Sequence, residues 1–319
     1  MRGIGWAAVA ALGFCGTLAG CKMGAADAPE GGIDTVRLVN AGEDPANWIT
    51  HGGTYSEQRY STLDAVGENN VGELGLAWFF DLATKRGVQS TPIVVDGVMY
   101  VTTGLLRVVA LRADTGEQLW KFDPFASQPP TSPLASGGVN RGLAYWSDGQ
   151  PQGKRRVLHG TASGHLYSID VRTGKLDPAF GAQGAKDLRE DFQRDTYELV
   201  YGPPSAPAIF GDYVILGFSP GEGPGVSAPG DVRAFDVRTG ALRWQFHTIP
   251  QAGEFGTDSW EDDAWEYSGH APVWSLFSAD AELGYIYMPV TSPTNDMYGG
   301  HRGGDNLFGQ SLVCVDAET

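Results

Sequence analysis

Residues 110–120 read ALRADTGEQLW, and they form the first copy of a hairpin pattern that repeats along the chain. The pattern returns as YSIDVRTGKL at 167–176 and as RAFDVRTGALRW at 233–244, and a fourth copy begins with VCVDAET at 313–319. A Thr-Gly turn between two alternating runs is typical of a β-hairpin, because glycine takes the positive φ that a tight turn requires.

A second strand pair precedes the hairpin within the repeating unit. TPIVVDGVMYV at 91–101 and APAIFGDYVIL at 206–216 both indicate a strand, a turn containing Asp and Gly, and another strand. Four strands per unit, repeated along one chain, predict an all-β fold, a β-propeller of four-stranded blades. A β-sandwich with coincidental Thr-Gly hairpins is the alternative, but the constant position of the turn within each unit favours the propeller.

The composition agrees with short strands and tight loops. Among 319 residues there are 45 glycines, 19 prolines and 9 tryptophans, which favours turns and strands over helical bundles. The formal net charge is −16. Because such a surface repels a phosphate backbone, the composition excludes nucleic acid as a partner.

The amino-terminal residues are typical of an export signal. Arg2 precedes an apolar run over residues 4–18 that is too short to span a membrane as a stable helix. The run ends in LAGC at 18–21, which resembles a bacterial lipobox and predicts a lipid anchor on Cys21. A plain secretory signal is the alternative, because small residues also precede ordinary cleavage sites. Lys22 stands where an inner-membrane retention signal would place Asp, which by resemblance favours the outer membrane.

Three parts therefore make up the predicted organisation. Residues 1–20 are the signal peptide, residues 21–45 are a flexible tether, and residues 46–319 are the propeller. The tether is predicted from its Ala, Gly, Asp, Glu and Pro content. We expect the protein in the periplasm, anchored to a membrane by lipid.

Four further stretches carry a more specific resemblance. They are WITHGGTYSEQRYS at 48–61, VNRGLAYW at 139–146, WEDDAW at 260–265 and YGGHRGGDN at 298–306. Together they resemble the PQQ-dependent (quinoprotein) alcohol and glucose dehydrogenases, where PQQ is pyrroloquinoline quinone. WEDDAW is similar to the alcohol-oxidising branch, and YGGHRGGDN is more similar to the membrane glucose-dehydrogenase branch. The resemblance covers about residues 45–319.

This resemblance implies a fold and an activity. Members of the family have eight blades around a channel that holds PQQ and a calcium-type ion. About four blades are present here, so we expect a partial protein, an amino-terminal fragment of such a propeller. The implied reaction is oxidation of a primary alcohol or an aldose outside the cytoplasm. Hydride passes to PQQ, and electrons continue to a cytochrome or ubiquinone.

The resemblance also implies residues that bind PQQ. Trp274 matches the tryptophan on which the quinone stacks, and an indole face suits a flat ring system. Arg141 matches the arginine that contacts the cofactor, since a guanidinium can pair with a carboxylate through two hydrogen bonds. Ser219 and Gln89 match polar contacts more loosely. Methanol-type enzymes have two adjacent cysteines where this chain has ASGG at 135–138. That departure favours the glucose-type branch.

A metal site is implied by three oxygen-bearing residues. Glu222, Ser292 and Thr294 fall at or near ligand positions of the family, and Ca²⁺ or Mg²⁺ prefers oxygen ligands. Alcohol-type enzymes have Asn in the place of Ser292, whereas the glucose-type branch has Thr in the place of Thr294. Solvated glycine-rich loops are the alternative interpretation of these segments.

The family's catalytic base has no counterpart in this sequence. It is an Asp in a stretch that follows the hairpin begun at Asp316, and nothing in residues 1–319 matches that stretch. Asp262 and Asp263 belong to a motif that corresponds to a different loop. We therefore expect this chain to lack its base.

Two other functions stay open from sequence. One is a non-catalytic propeller lipoprotein that acts as a scaffold in outer-membrane assembly, and the other is an inactive relative of the dehydrogenases. A scaffold has no use for a stacking Trp, a metal-binding carboxylate or the Arg of Asn-Arg-Gly. Because all three are present, the sequence favours the enzyme family.

Overall fold

A computed structural model describes residues 35–85, 87–127, 129–130, 134–190, 192, 198–223 and 226–319. The predicted signal peptide, Cys21 and residues 22–34 of the predicted tether lie outside these ranges. The described residues all fall within the compact unit Gly31–Thr319. Across these ranges we find no helix that combines the length and the apolar character needed to cross a membrane.

Four antiparallel sheets follow one another along the chain, as the repeats predict. The first contains β1 (Ile93–Val95), β2 (Val98–Thr103), β3 (Arg107–Arg112) and β4 (Gln118–Phe122). The second contains β5 (Ala144–Ser147), β6 (Arg155–Thr161), β7 (His165–Asp170) and β8 (Ala185–Asp187). The third contains β9 (Ala208–Phe210), β10 (Tyr213–Leu216), β11 (Val232–Asp236) and β12 (Leu242–Phe246). The fourth contains β13 (Ser278–Asp280), β14 (Tyr285–Pro289) and β15 (Leu312–Asp316).

Helical structure in the described ranges is confined to short segments before and between these strands. The α-helices are α1 (Thr35–Val39) and α2 (Ala264–Tyr267). Single 3₁₀ turns occur at Ala41–Glu43, Val71–Glu73, Gly104–Leu106, Ala135–Gly138, Thr257–Ser259 and Glu261–Asp263. Within the described ranges the sheets correspond to successive blades of a propeller and do not close into a ring. This arrangement confirms the predicted fold.

Local hydrogen bonds shape the repeated Thr-Gly turn. Asp170 Oδ1 accepts hydrogen bonds from the backbone N–H groups of Arg172 and Thr173 and from the Thr173 hydroxyl. Asp236 repeats this arrangement in the third sheet. Gly174 has φ 67°, a backbone conformation that residues other than glycine rarely adopt. The hairpin is therefore stabilised by residues two and three positions apart.

Tryptophan side chains join the first sheet to the turn of the second and the third sheet to the turn of the fourth. Trp120, at the end of the first sheet, donates from Nε1 to the Val171 carbonyl at 2.7 Å, and its ring lies on Gly174. Trp244 of the third sheet donates in the same way to Ala317 at 3.0 Å. Because an indole has one N–H donor and a large apolar face, this contact both satisfies the donor and buries the ring.

The second sheet departs from the regular repeat. Its fourth strand, β8, does not directly follow the Thr-Gly turn, and Leu176 forms only an isolated bridge with Ile169. Phe180 lies in the intervening loop, and its ring covers Gly240 of the third sheet. A phenylalanine thus takes the position that tryptophan has elsewhere, and this loop has no indole N–H to donate across the interface.

Gly174→Ala should destabilise the protein by about 3 kcal/mol for two reasons. The new Cβ would lie 2.8 Å from the Trp120 ring, and the alanine would have to adopt a positive φ. Gly211→Ala is the matched control. Gly211 has φ 56°, but a Cβ there would meet nothing within 4 Å, so we expect a loss of about 1 kcal/mol. Urea unfolding of both variants measures the difference. Equal losses would show that backbone strain alone matters and that the tryptophan contact does not.

Backbone segments that lie side by side position the residues that sequence predicts to bind a cofactor. Each lies just before the first strand of its sheet. The Thr91 N–H donates to the Arg141 carbonyl at 3.0 Å, and the Arg141 N–H donates to the Pro204 carbonyl at 2.9 Å. The Ser205 hydroxyl then donates to the Trp274 carbonyl at 2.5 Å. These bonds bring four distant parts of the sequence side by side.

Candidate functional site

Arg141 and Trp274 meet where these backbone segments lie side by side. The guanidinium carbon of Arg141 lies 5.1 Å from the centroid of the Trp274 ring, over its face. This geometry is favourable because the face of an indole is electron-rich. The Trp274 side chain remains 42% exposed, so the ring keeps accessible surface for a ligand.

The charge of Arg141 is incompletely satisfied. Its Nη1 atom is buried and has no hydrogen-bond partner among the described residues. Burial also lowers the pKa of the guanidinium. A buried cationic donor without a partner is costly, and a carboxylate that accepts its hydrogen bonds would remove that cost. The pair therefore fits a flat, anionic ligand.

Ser219 lies in the same region and has a neighbour that sequence reasoning missed. The Ser136 hydroxyl donates to the Ser219 hydroxyl at 3.3 Å, and the Ser219 N–H donates to the Gly202 carbonyl at 3.0 Å. Ser136 lies in the turn Ala135–Gly138, the segment that lacks the family's cysteine pair. Its place just before Arg141 was the available signal.

Gln89 is a surface residue that lies near Thr91 in the chain. It is exposed and precedes Thr91, whose N–H binds the Arg141 carbonyl, by two residues. The neighbouring Ser90 hydroxyl accepts a hydrogen bond from the Thr102 N–H at 3.0 Å. The structure thus places Gln89 two residues from a backbone partner of Arg141, with Gln89 itself exposed to solvent.

Two of the three predicted metal ligands lie on loops in direct contact. Glu222 is exposed, and the next residue, Gly223, packs against Thr294 and Asn295. A Cβ on Gly223 would overlap Asn295 Oδ1 and would lie 2.7 Å from Thr294 Cγ2. The structure therefore brings the Glu222 loop and the Thr294 loop together.

Ser292 has a different environment. Its hydroxyl oxygen accepts a hydrogen bond from Gln310 Nε2 at 2.8 Å, and its carbonyl accepts one from the Ala271 N–H at 3.0 Å. The hydroxyl and the carbonyl of Ser292 therefore each have one hydrogen-bond partner within the protein.

His270 is a further residue that sequence reasoning did not single out. It is buried, and its Nε2 atom lies 3.4 Å from Asp296 Oδ1. Burial lowers the pKa of the imidazole, although the carboxylates of Asp296 and Glu222 and the Pro220 carbonyl act in the opposite direction. Its position four residues before Trp274 was the signal that could have identified it.

Asp262 and Asp263 are exposed in the turn before α2. That turn packs against another loop, where a Cβ on Gly303 would approach Glu261. The structure thus places both carboxylates on a surface turn.

The donor set limits which metal the site can hold. The described residues contain no cluster of three or more His, Cys, Asp or Glu side chains suited to a metal. A cation bound near Glu222 would need hydroxyl, amide or carbonyl oxygens as its other ligands. Oxygen ligands of this kind suit Ca²⁺ or Mg²⁺ and not a soft transition metal.

A pocket lies elsewhere, between residues 49–57 and the first strands of the second, third and fourth sheets. Its lining is largely apolar and contains neither Arg141 nor Trp274. The unpaired Nη1 of Arg141 and the accessible ring of Trp274 mark their contact, and not this pocket, as the candidate cofactor site.

Comparison with known proteins bears on the family and the fold of this chain. Residues 48–319 match a family model described as the β-propeller domain of PQQ glucose, ethanol and alcohol dehydrogenases. The quinohemoprotein alcohol dehydrogenase ADH-IIG of Pseudomonas putida is 35% identical over 315 residues, covering 95% of this chain and 41% of that protein. The dehydrogenase subunit of the quinone alcohol dehydrogenase of Gluconacetobacter polyoxogenes is 36% identical, covering 93% of this chain and 40% of its own length.

Solved structures show the same fold. That of ADHIIG from P. putida has a TM-score of 0.73 at 33% identity, covering 92% of this chain and 42% of that one. A europium-containing methanol dehydrogenase has a TM-score of 0.72 at 25% identity, covering 89% and 49%. This chain thus spans about two fifths of the length of the curated relatives quoted above. The match over residues 48–319 shows that the chain belongs to the PQQ-dependent alcohol dehydrogenase family of β-propellers.

Proposed function

We propose that this chain forms the PQQ-binding part of a dehydrogenase that oxidises a primary alcohol outside the cytoplasm. The observation that carries the proposal is the contact of Arg141 with the face of Trp274, with Nη1 of Arg141 buried and unpaired among the described residues. The relatives named above are alcohol dehydrogenases, which supports an alcohol as the substrate over an aldose. The export signal predicted from residues 1–20 supports the location.

Each residue of the candidate site has a role in this proposal. Trp274 provides a stacking face, Arg141 binds a carboxylate of the cofactor, and Ser219 and Gln89 donate further polar contacts. PQQ, when bound, supplies an ortho-quinone that accepts hydride. Glu222 and the Thr294 loop hold a divalent cation. In this arrangement the protein contributes binding and orientation, and the cofactor contributes the redox chemistry.

The electrons leave through a second redox partner. One relative is a quinohemoprotein and another is a dehydrogenase subunit of a larger enzyme. We propose a cytochrome or ubiquinone as the acceptor on that basis. A dye can replace this acceptor in an assay.

Reconstitution tests the proposal. Apo-protein, expressed from the complete gene, should reduce a dye with a primary alcohol only when both PQQ and Ca²⁺ are added, because stacking and metal binding are both required. Omitting either should lower the rate to background, and a chelator should abolish the restored activity. Dye reduction with NAD alone, or restored activity without PQQ, would contradict the assignment.

A further inference from the structure

Two buried oxygen atoms beside the Glu222 loop lack hydrogen-bond partners. Thr294 is only 4% exposed, and its Oγ1 has no partner among the described residues. The same holds for Oδ1 of the adjacent Asn295. Leaving a buried acceptor unsatisfied costs about 1–3 kcal/mol, so two neighbouring cases indicate that a ligand belongs there.

The two residues that carry these oxygens pack against the loop that contains Glu222. Gly223 has φ 98°, and its missing side chain leaves the space that Asn295 Oδ1 occupies. Thr294 Cγ2 lies against the same glycine. The amide oxygen, the hydroxyl and the Glu222 carboxylate therefore belong to two loops that touch at Gly223.

The Thr294 loop is held from its other side. His301 Nε2 lies 3.0 Å from the Thr294 carbonyl, and Arg302 Nε donates to the same oxygen at 3.2 Å. The Thr294 N–H donates to the Gly269 carbonyl at 3.1 Å. The backbone of Thr294 is thus fully engaged, whereas its side-chain oxygen is left for a ligand.

Ser292 and Asp296 do not share this property. The Ser292 hydroxyl already accepts a hydrogen bond from Gln310, and Asp296 Oδ1 lies 3.4 Å from the ring nitrogen of His270. Both side chains have partners within the protein. Within the segment 292–296 the buried side-chain oxygens without a partner are those of Thr294 and Asn295, the residues that contact the Glu222 loop.

We propose that Asn295 and Thr294, together with Glu222, bind the divalent cation. In this proposal the amide oxygen of Asn295 is the metal ligand that the family resemblance assigns to the position of Ser292. This inference rests on the proposed function for the identity of the cation, Ca²⁺ or Mg²⁺. Carboxylate, amide and hydroxyl oxygens are ligands that Ca²⁺ accepts in its coordination of six to eight oxygens.

Calcium titration of the full protein tests the assignment. Ca²⁺ alone is the probe, followed by calorimetry with and without PQQ, so the readout is metal affinity and not turnover. We expect Asn295→Ala and Thr294→Val to lower the Ca²⁺ affinity on the order of tenfold or more, and Ser292→Ala to change it less than about twofold. Asn295→Asp keeps an oxygen and adds a negative charge, so it should retain or raise the affinity.

A glycine pair provides the matched control for folding. Gly223→Ala should weaken Ca²⁺ binding as much as Asn295→Ala, because its Cβ would displace the amide oxygen. At Gly221 a Cβ would meet only Val200, at 3.9 Å, so Gly221→Ala should leave the affinity unchanged. Circular dichroism identifies any variant that fails to fold, and Asn295→Asp then decides the question.

The outcomes separate the inference from the proposed function. Loss of Ca²⁺ affinity in Ser292→Ala but not in Asn295→Ala would overturn the inference and restore Ser292. Unchanged affinity in all variants would also overturn it, since the unpaired oxygens would then hold only water. Both results leave PQQ binding by the wild-type protein intact. A wild-type protein that binds Ca²⁺ through Asn295 but never binds PQQ would instead overturn the proposed function alone.

Discussion

Arg141→Ala should lower the affinity for PQQ about 100-fold, because a charge-assisted hydrogen bond to a buried partner contributes about 1.5–3 kcal/mol. The guanidinium lies over Trp274 with Nη1 buried and unpaired among the described residues. Its removal would leave a cofactor carboxylate without its cation. Quenching of tryptophan fluorescence during a PQQ titration measures the loss.

Two variants show whether the geometry or only the charge of Arg141 matters. Arg141→Lys keeps the charge but lacks the planar fork, so we expect only partial recovery of affinity. Arg112→Ala is the control. Arg112 is an exposed residue paired with Glu117 at 3.1 Å, and its loss should leave PQQ binding unchanged. Equal affinities for wild-type protein and Arg141→Ala would remove Arg141 from the site.

The buried His159 should lower the free energy of unfolding of the protein at acidic pH. Its Nε2 lies 2.8 Å from the Leu106 carbonyl, and burial lowers the pKa of the ring from 6.5 to about 4. Because the folded pKa lies below the unfolded one, the neutral ring is fully tolerated above about pH 6.5. As the pH falls from about 6.5 to 4, the unfolded state takes up the proton first, and about 3 kcal/mol of stability is lost.

Urea unfolding at a series of pH values measures this effect. His159→Gln can still donate to Leu106 but cannot titrate, so its free energy of unfolding should fall less steeply between pH 6.5 and 4. Val157→Ala, at a buried position on the same strand, should lower stability at every pH and keep the wild-type slope. A slope in His159→Gln equal to that of the wild type would assign the acid sensitivity to other groups.

The repeating hairpins could be predicted from sequence because their chemistry is local. Asp170 and Asp236 bind backbone N–H groups only two and three residues ahead, and the turn glycines supply the positive φ. The alternation of apolar residues adds the strands on either side. Every determinant of the hairpin therefore lies within about ten residues of sequence.

The candidate cofactor pair came from resemblance, and the structure supplied its geometry. The stretch VNRGLAYW and the separate match at Trp274 identify Arg141 and Trp274 as individual candidates. Their contact depends on hydrogen bonds among segments from different sheets, such as those of Arg141 with Pro204 and of Ser205 with Trp274. No local pattern encodes such a contact, because it depends on how whole sheets pack.

Only the tertiary structure decides which partners side chains have at the sheet interfaces and in the loops of Glu222 and Thr294. Sequence alone determined that the chain forms hairpins of the propeller type, with Thr-Gly turns at defined positions. It did not determine that Phe180 covers Gly240, that Gln310 donates a hydrogen bond to the Ser292 hydroxyl, or that Asn295 packs beside Gly223. These contacts join residues that are far apart in the chain. Whether a polar atom in the Glu222 or Thr294 loop has a hydrogen-bond partner depends on how the two loops pack. Hairpin formation requires neighbours in sequence, whereas the site requires neighbours in space.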